Sequence, residues 1–319
     1  MDAEATRPHA KYDALIARCA SLPAVPTAVV HPCDAASLDG ALQAAAAGLI
    51  VPLLVGPEAR IRRVAAEAGL DIAACRIVDT PHSHASAAKG VELVHSGEAS
   101  ALMKGSLHTD ELMGAVVAHD GGIRTNRRVS HVFVMDVPTY HKLLFITDAA
   151  VNIAPTLDDK ADIVANAIEL AQALGVVQPK VAILSAVETV SAKIPSTIDA
   201  AALCKMADRG QIRGGLLDGP LAFDNAISRE AAAMKGIVSP VAGDADILLV
   251  PDLEAGNMLA KELTFLANAD AAGLVLGARV PIVLTSRADS VRSRMASTAV
   301  AVIYAHARRT AAGLLRPGD

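Results

Sequence analysis

The chain has 319 residues, 52% of them hydrophobic and only 2% aromatic, with no Trp and a net charge of -5. That length is long for one core and predicts two domains. The scarcity of aromatic side chains excludes a stacking platform for single-stranded nucleic acid, and the negative balance excludes general affinity for nucleic acid or an anionic membrane. The four cysteines, Cys19, Cys33, Cys75 and Cys204, are scattered with no C-x-x-C pair, as expected of reduced thiols rather than a zinc or disulfide framework. The start is polar, and the longest uncharged stretch, residues 41–57, is interrupted by Pro52. It falls short of the ~20 residues a spanning helix needs, so a soluble cytoplasmic protein with no membrane partner is expected.

Residues 28–30 read as a strand, and Asp34 is placed to cap a helix that reaches Ala47 and ends at Gly48. Residues 49–55 read as a buried strand. Pro57 opens the next helix, which runs through Ala68 and is closed by Gly69. Ala101-Leu102-Met103 runs into Lys104-Gly105, and a helix is expected from Thr109 to Gly121-Gly122. Residues 129–137 and 143–147 flank Pro138-Thr139-Tyr140-His141-Lys142, the pattern of an antiparallel hairpin. Helix is expected over 158–174, strand over 181–185, helix over 199–208 and a last helix over 290–308. Repeated βα units imply a doubly wound parallel sheet. The hairpin marks one crossing between domains and residues 278–286 the return. The expected division is a discontinuous α/β domain of residues 1–130 plus 280–319 and a second of residues 131–279.

Three apolar runs in the last third end in polar loops. They are Gly214-Gly215-Leu216-Leu217-Asp218-Gly219-Pro220, Ile247-Leu248-Leu249-Val250-Pro251-Asp252-Leu253 and Pro281-Ile282-Val283-Leu284-Thr285-Ser286-Arg287. Ligands of open α/β sheets sit at the carboxyl ends of strands. There the chain offers Asp224, Asn257, Ser286, Arg287 and Asp289, a set suited to an anionic substrate. The planar fork of Arg287 suits phosphate oxygens, and the following helix start adds backbone N–H groups. The competing reading is that Ser286 or Asp289 only caps that helix. Asp224 is balanced in the same way between a ligand contact and a cap. Gly256 permits close backbone approach of a ligand, and Asn257 can hydrogen-bond a phosphate or an amide. Gly122-Ile123-Arg124-Thr125-Asn126-Arg127-Arg128 is either a solvated turn or an anion clamp. The chain has no G-x-x-x-x-G-K-[ST], no G-x-G-x-x-G after a strand and no H-E-x-x-H, and Ser286 lies in no G-x-S-x-G elbow. His82 with His84 is too little for a metal site.

Taken in chain order, Met103-Lys104-Gly105, Val129-Ser130-His131-Val132, Thr147-Asp148-Ala149-Ala150-Val151-Asn152-Ile153-Ala154-Pro155 and Leu184-Ser185-Ala186-Val187-Glu188 form one pattern. It continues through Asp218-Gly219-Pro220-Leu221-Ala222-Phe223-Asp224, Pro251-Asp252-Leu253 with Gly256-Asn257, and Ser286-Arg287. Together these stretches resemble the phosphate acetyltransferase and phosphate butyryltransferase family. Before about residue 100 the chain resembles it only in pattern. The resemblance implies two doubly wound α/β domains with a cleft between them, like those of isocitrate and isopropylmalate dehydrogenases, and a homodimer. It implies reversible transfer of a short acyl group, acetyl or butyryl, between coenzyme A and inorganic phosphate. Coenzyme A is then a substrate, and no tightly bound cofactor or metal is expected. Ser286 and Arg287 take the family's catalytic serine and arginine. Asp289, the only acidic residue in that loop, takes the catalytic aspartate at a shorter spacing. Lys104, Gly105, Arg124, Ser130, Asp224, Gly256 and Asn257 are the candidate substrate-binding residues.

One stretch departs from the family. Acetyl-specific members carry an arginine after the strand ending near residue 105 that helps hold phosphate. Here the stretch reads His108-Thr109-Asp110-Glu111-Leu112-Met113-Gly114. Arg124, Arg127 or Arg128 is the expected replacement. The loops at Lys104-Gly105 and Ser185-Glu188 look closer to the butyryl branch. Three rival readings stand beside this one: a long-chain acyltransferase from carrier protein to phosphate, a non-catalytic regulator binding coenzyme A or acyl phosphate, and a decarboxylating dehydrogenase, which needs clustered carboxylates for a metal where Asp244 and Asp246 read first as flanking a turn before the strand at Ile247. The chemistry of the leading reading is demanding. A thiol of pKa ~8.5 and an ordinary aspartate of pKa ~3.9 are mismatched by about 6 kcal/mol for prior proton transfer. Asp289 therefore needs a raised pKa, or transfer concerted with attack. Arg287 can neutralise the developing phosphate charge and Ser286 can donate to an oxygen, which calls for direct transfer in a ternary complex.

Overall fold

The structure is a computed structural model that describes residues 10–284 and 290–314. By packing, the chain divides into an N-terminal unit, Asp13–Val129 with Ala272–Asp319, and a central unit, Met1–Tyr12 with Ser130–Ala271.

Helix α1 (Ala10–Cys19) precedes four βα repeats. These are β1 (Val25–Val30) with α2 (Ala35–Ala46), β2 (Ile50–Gly56) with α3 (Glu58–Ala68), β3 (Arg76–Asp79) with α4 (Ser83–His95), and β4 (Ala101–Lys104) with α5 (Thr109–Val117). The strands are parallel in the order β3-β2-β1-β4. In β1 every residue except Pro26 is buried, as a strand covered on both faces requires. Asp34 caps α2 as expected, its carboxylate accepting from Ser37 N at 2.8 Å. Gly69 closes α3 in the left-handed region, φ 65°. β3 and α4 were not legible in sequence. β3 has no buried residue, and α4 is capped by a histidine, His82 accepting from Ala85 N. The helix expected to reach Gly121-Gly122 stops at Val117.

The expected hairpin forms: β5 (Ser130–Asp136) and β6 (Leu144–Thr147) pair antiparallel, from Val132 opposite Thr147 to Met135 opposite Leu144. The central unit continues with α6 (Leu157–Ala173), β7 (Lys180–Leu184), α7 (Pro195–Asp208), β8 (Leu216–Leu221), α8 (Phe223–Ile227), α9 (Arg229–Met234), β9 (Ile247–Leu249) and α10 (Leu253–Leu266). Its strands lie in the order β5-β6-β9-β7-β8, parallel from β6 onward. Three helices start where a local residue sets them. α7 starts at Pro195 rather than Asp199, because a proline fits the first turn. α8 and α9 are two short helices broken at Ser228, whose hydroxyl caps the second by accepting from Ala231 N at 3.2 Å. α10 starts at Leu253, ahead of Gly256-Asn257, because Asp252 caps it by accepting from Ala255 N at 2.9 Å.

The chain then returns through β10 (Asp270–Leu276), β11 (Ile282–Val283) and α11 (Val291–Leu314). β11 is parallel to β4 and antiparallel to β10. The chain therefore leaves β4 and β11 at the same end of the N-terminal unit's sheet.

In the central unit the start of α1 is tied to β5. Asp136 is fully buried, accepts from Tyr12 N at 3.1 Å and pairs with Lys11 Nζ at 2.8 Å. Lys11 Nζ also donates to Val137 O and Tyr140 O, both at 2.9 Å, and Tyr12 OH donates to Val134 O. A buried carboxylate stripped of its cation keeps its desolvation cost. Lys11→Ala is expected to destabilise the protein by about 2–3 kcal/mol, somewhat below the cost of breaking a fully buried pair, read as a lower urea midpoint.

Candidate active site

Two loop systems gather buried polar side chains at strand ends, one in each unit. In the N-terminal unit, β2 and β3 extend from one side of β1 and β4 lies on the other. Connections diverge at such a switch point and leave a crevice at the carboxyl ends. A cavity of about 500 Å³ opens there. Its floor is made where β4 ends against β1. Gly105 N donates to Val30 O at 2.8 Å and Ser106 N to His31 O at 2.9 Å. Ser106 Oγ donates to His31 O at 2.8 Å and accepts from Cys33 N at 3.2 Å. A Cβ at position 105 would sit 2.5 Å from the oxygens of both Val30 and His31, so only glycine fits. Lys104 turns its Nζ onto the same loop, donating to Leu107 O at 3.1 Å and Gly105 O at 3.3 Å.

His31 lines this cavity with φ 57°, in the left-handed region that non-glycine residues rarely adopt. Its Nδ1 lies 3.1 Å from Ser86 Oγ. Ser86 Oγ donates to His82 O at 2.9 Å and has Thr80 Oγ1 at 2.8 Å. A hydroxyl has one proton. With that proton on His82 O, Ser86 accepts from the His31 Nδ1–H, and Nε2 of His31 is left as an acceptor. Burial, reinforced by the Arg60 charge, lowers the His31 pKa from its ordinary value, with Glu111 opposing, which favours the neutral ring. Glu111 forms another part of the wall. It accepts from Ser83 Oγ at 2.9 Å and His108 N at 3.0 Å, with His84 Nδ1 3.1 Å away. Burial alone would raise its pKa, but these hydrogen bonds and the neighbouring histidines outweigh that and hold it below its ordinary value.

Arg60, on the first turn of α3, also lines the cavity. Nothing singled it out in the sequence beyond its place just after the strand end at Gly56. Arg124 is exposed and joins Ala278 in an isolated backbone bridge; Arg127 and Arg128 are exposed as well. Ser286, Arg287 and Asp289 follow β11 in sequence but lie outside the described residues.

In the central unit the organising group is Asp148, 2% exposed. Its Oδ1 accepts from Ala150 N at 2.8 Å and Val151 N at 2.9 Å. Its Oδ2 accepts from His131 N at 3.1 Å, Asn152 N at 3.2 Å and Asn152 Nδ2 at 2.6 Å. Helix α10 rests on this loop. A Cβ on Gly256 would stand 2.7 Å from Asp148 O, and Asn257 Nδ2 donates to Ala149 O at 3.2 Å. The close approach that Gly256 permits is thus to the chain's own backbone. His131 is buried, its Nδ1 has no hydrogen-bond partner among the described residues, and burial pushes its pKa down to about 4, Asp148 opposing. Ser130 is fully buried and accepts from Asn166 Nδ2 at 2.9 Å. Asp224 is exposed on α8, 3.8 Å from Lys235 Nζ, which pairs with Glu188 at 3.1 Å. A second cavity, about 410 Å³ and mainly apolar, opens at the carboxyl ends of β7 and β9 among Leu184, Phe223, Val250 and Leu259.

The carboxylates of the dehydrogenase reading are already occupied. Asp244 pairs with Lys180 at 2.5 Å and Asp246 with Lys142 at 2.8 Å. Among the described residues no cluster of three or more His, Cys, Asp or Glu could hold a metal ion, and no helix is long and apolar enough to cross a membrane.

Residues 80–302 match the family described as phosphate acetyl/butaryl transferase, and the chain belongs to that family. A phosphate acetyltransferase of Rhizobium meliloti is 69% identical over 302 residues, 94% of this chain and 95% of that protein. A phosphate butyryltransferase of Clostridium acetobutylicum is 43% identical over 272 residues, 85% of this chain and 90% of that one. The crystal structure of a branched-chain phosphotransacylase from Enterococcus faecalis superposes with a TM-score of 0.77 at 32% identity, covering 88% of this chain and 99% of its own. The 4-hydroxythreonine-4-phosphate dehydrogenase of Klebsiella pneumoniae, 13% identical, covers 88% of this chain and 100% of its own with a TM-score of 0.54. That likeness is one of fold alone, in keeping with the dehydrogenase-like architecture expected from sequence.

Replacing Asp148 by Asn swaps a charged acceptor for an amide whose NH2 faces donors. Asp148→Asn is expected to cost about 2–4 kcal/mol, the scale for charge-assisted bonds lost from a buried site, measured by urea unfolding.

Proposed function

We propose that this acyltransferase works by direct displacement in a ternary complex of acyl-CoA and phosphate. The reaction is the reversible transfer of a short acyl group between coenzyme A and inorganic phosphate, the activity of its family. A phosphate oxygen attacks the thioester carbonyl, the C–S bond breaks, and the departing sulfur is protonated. In the reverse direction the CoA thiol gives up that proton as sulfur attacks the acyl phosphate. Asp289 carries the proton, Arg287 neutralises phosphate charge and Ser286 donates to an oxygen of the reacting groups. The observation that carries this reading is the lateral order of strands in the N-terminal unit. β11, which leads to Ser286 and Arg287, runs parallel to and beside β4, whose end builds the polar cavity.

The working form is a cytoplasmic homodimer, measurable by analytical ultracentrifugation. Coenzyme A enters as a substrate and leaves as a product.

Phosphate-dependent release of CoA, followed with a thiol reagent across acyl chains of two to six carbons, is expected to be fastest at the short end and absent with acyl-carrier donors. Arg287→Ala is expected to lose on the order of 100-fold or more in kcat. Near-normal turnover would remove Arg287 from the mechanism, and a stable acyl-enzyme seen by mass spectrometry would contradict direct transfer.

A further inference from the structure

Arg60 is placed where folding gives no reason for a cation. It stands on the first turn of α3, at the positive end of the helix dipole, where a positive charge is disfavoured unless an anion lies nearby. Among the described residues it makes no hydrogen bond or ion pair. Neither acidic group lining the cavity pairs with it: Glu111 is engaged by Ser83, His84 and the His108 backbone, and Asp34 caps α2 by accepting from Ser37 N. The cavity is also well beyond what a lone counter-ion needs, about 500 Å³, within the range of small-molecule sites. The stretch from His108 to Gly114 supplies no arginine to this end of the sheet.

We infer that Arg60 binds a phosphate group of a substrate in the cavity at the carboxyl ends of β1 and β4. This rests on the transfer reaction proposed above and adds a residue to it. The guanidinium fork matches phosphate oxygens in pairs. Nε2 of neutral His31, the acceptor left by the Ser86 contact, suits the P–OH of a monoprotonated phosphate. The phosphate group belongs either to inorganic phosphate and acyl phosphate or to an ester phosphate of coenzyme A, and the kinetics tell the two apart.

The test uses the full chain and the variants Arg60→Ala and Arg60→Lys, with phosphate and acyl-CoA varied independently. Arg60→Ala is expected to raise KM for one phosphate-bearing substrate by about 10- to 100-fold, the range of a lost charge-assisted bond. KM for the other substrate and kcat stay within a few-fold, and Arg60→Lys recovers part of the loss. A rise for phosphate and acyl phosphate assigns the cavity to them. A rise for CoA that dephospho-CoA does not share assigns it to the CoA 3′-phosphate. A rise shared by both forms assigns it to the diphosphate. Unchanged KM values in a folded Arg60→Ala protein overturn the inference while leaving the transfer reaction intact. If the wild type itself shows no phosphate-dependent CoA release, the transfer reading fails. Calorimetric titration with phosphate and with CoA then decides the inference: binding by the wild type that Arg60→Ala loses supports it, and equal or no binding by both overturns it.

Discussion

The carbonyl oxygens of Val30 and His31 occupy the space that a side chain at position 105 would need. That backbone contact shapes the polar cavity. It lets the end of β4 close on the end of β1, brings Ser106 onto His31 O, and orients His108 and Glu111 at the start of α5. It also fixes His31 in a left-handed conformation, a cost of about 1–3 kcal/mol that surrounding bonds must offset. Ser106 and Ser86 supply those bonds. A floor made of backbone carbonyls and neutral side chains carries little net charge of its own, so the charge of the cavity is set by residues on the adjoining helices.

The central unit settles its charges differently. Asp148 is buried and meets donors on both oxygens, so its negative charge is used up in holding the loop after β6. Asp244 is similarly consumed by Lys180 and Lys142, whose hydrogen bonds outweigh burial and keep it well below the usual carboxylate range. Charged groups satisfied in this way stabilise the scaffold and are withdrawn from chemistry. Arg60 contrasts with them, since no hydrogen bond or ion pair from the described residues engages it.

The parallel repeats up to Gly69, the hairpin at β5 and β6, and α6 were legible because each has a local signal: a cap, a left-handed glycine, a run of buried β-branched residues. β3 and α4 were not, since an exposed edge strand needs no apolar pattern and His82 is an uncommon cap. Lys104, Gly105, Gly256 and Asn257 became candidates in the sequence because strand ends draw attention. Their observed contacts are to the chain's own backbone, so what the structure shows of them is a part in shaping the loops.

The sequence by itself determined most strand and helix types, though not β3 and α4, together with the loops that end the strands and the family, because these depend on residues close together in the chain or on ordered motifs. Only the tertiary structure decided that the loops after β1, β2, β3 and β4 wall one cavity, and that Arg60 joins His31 and Glu111 there. The physical reason is that the lateral order β3-β2-β1-β4-β11 is set by which apolar faces pack together. Spacing along the chain carries no record of that order.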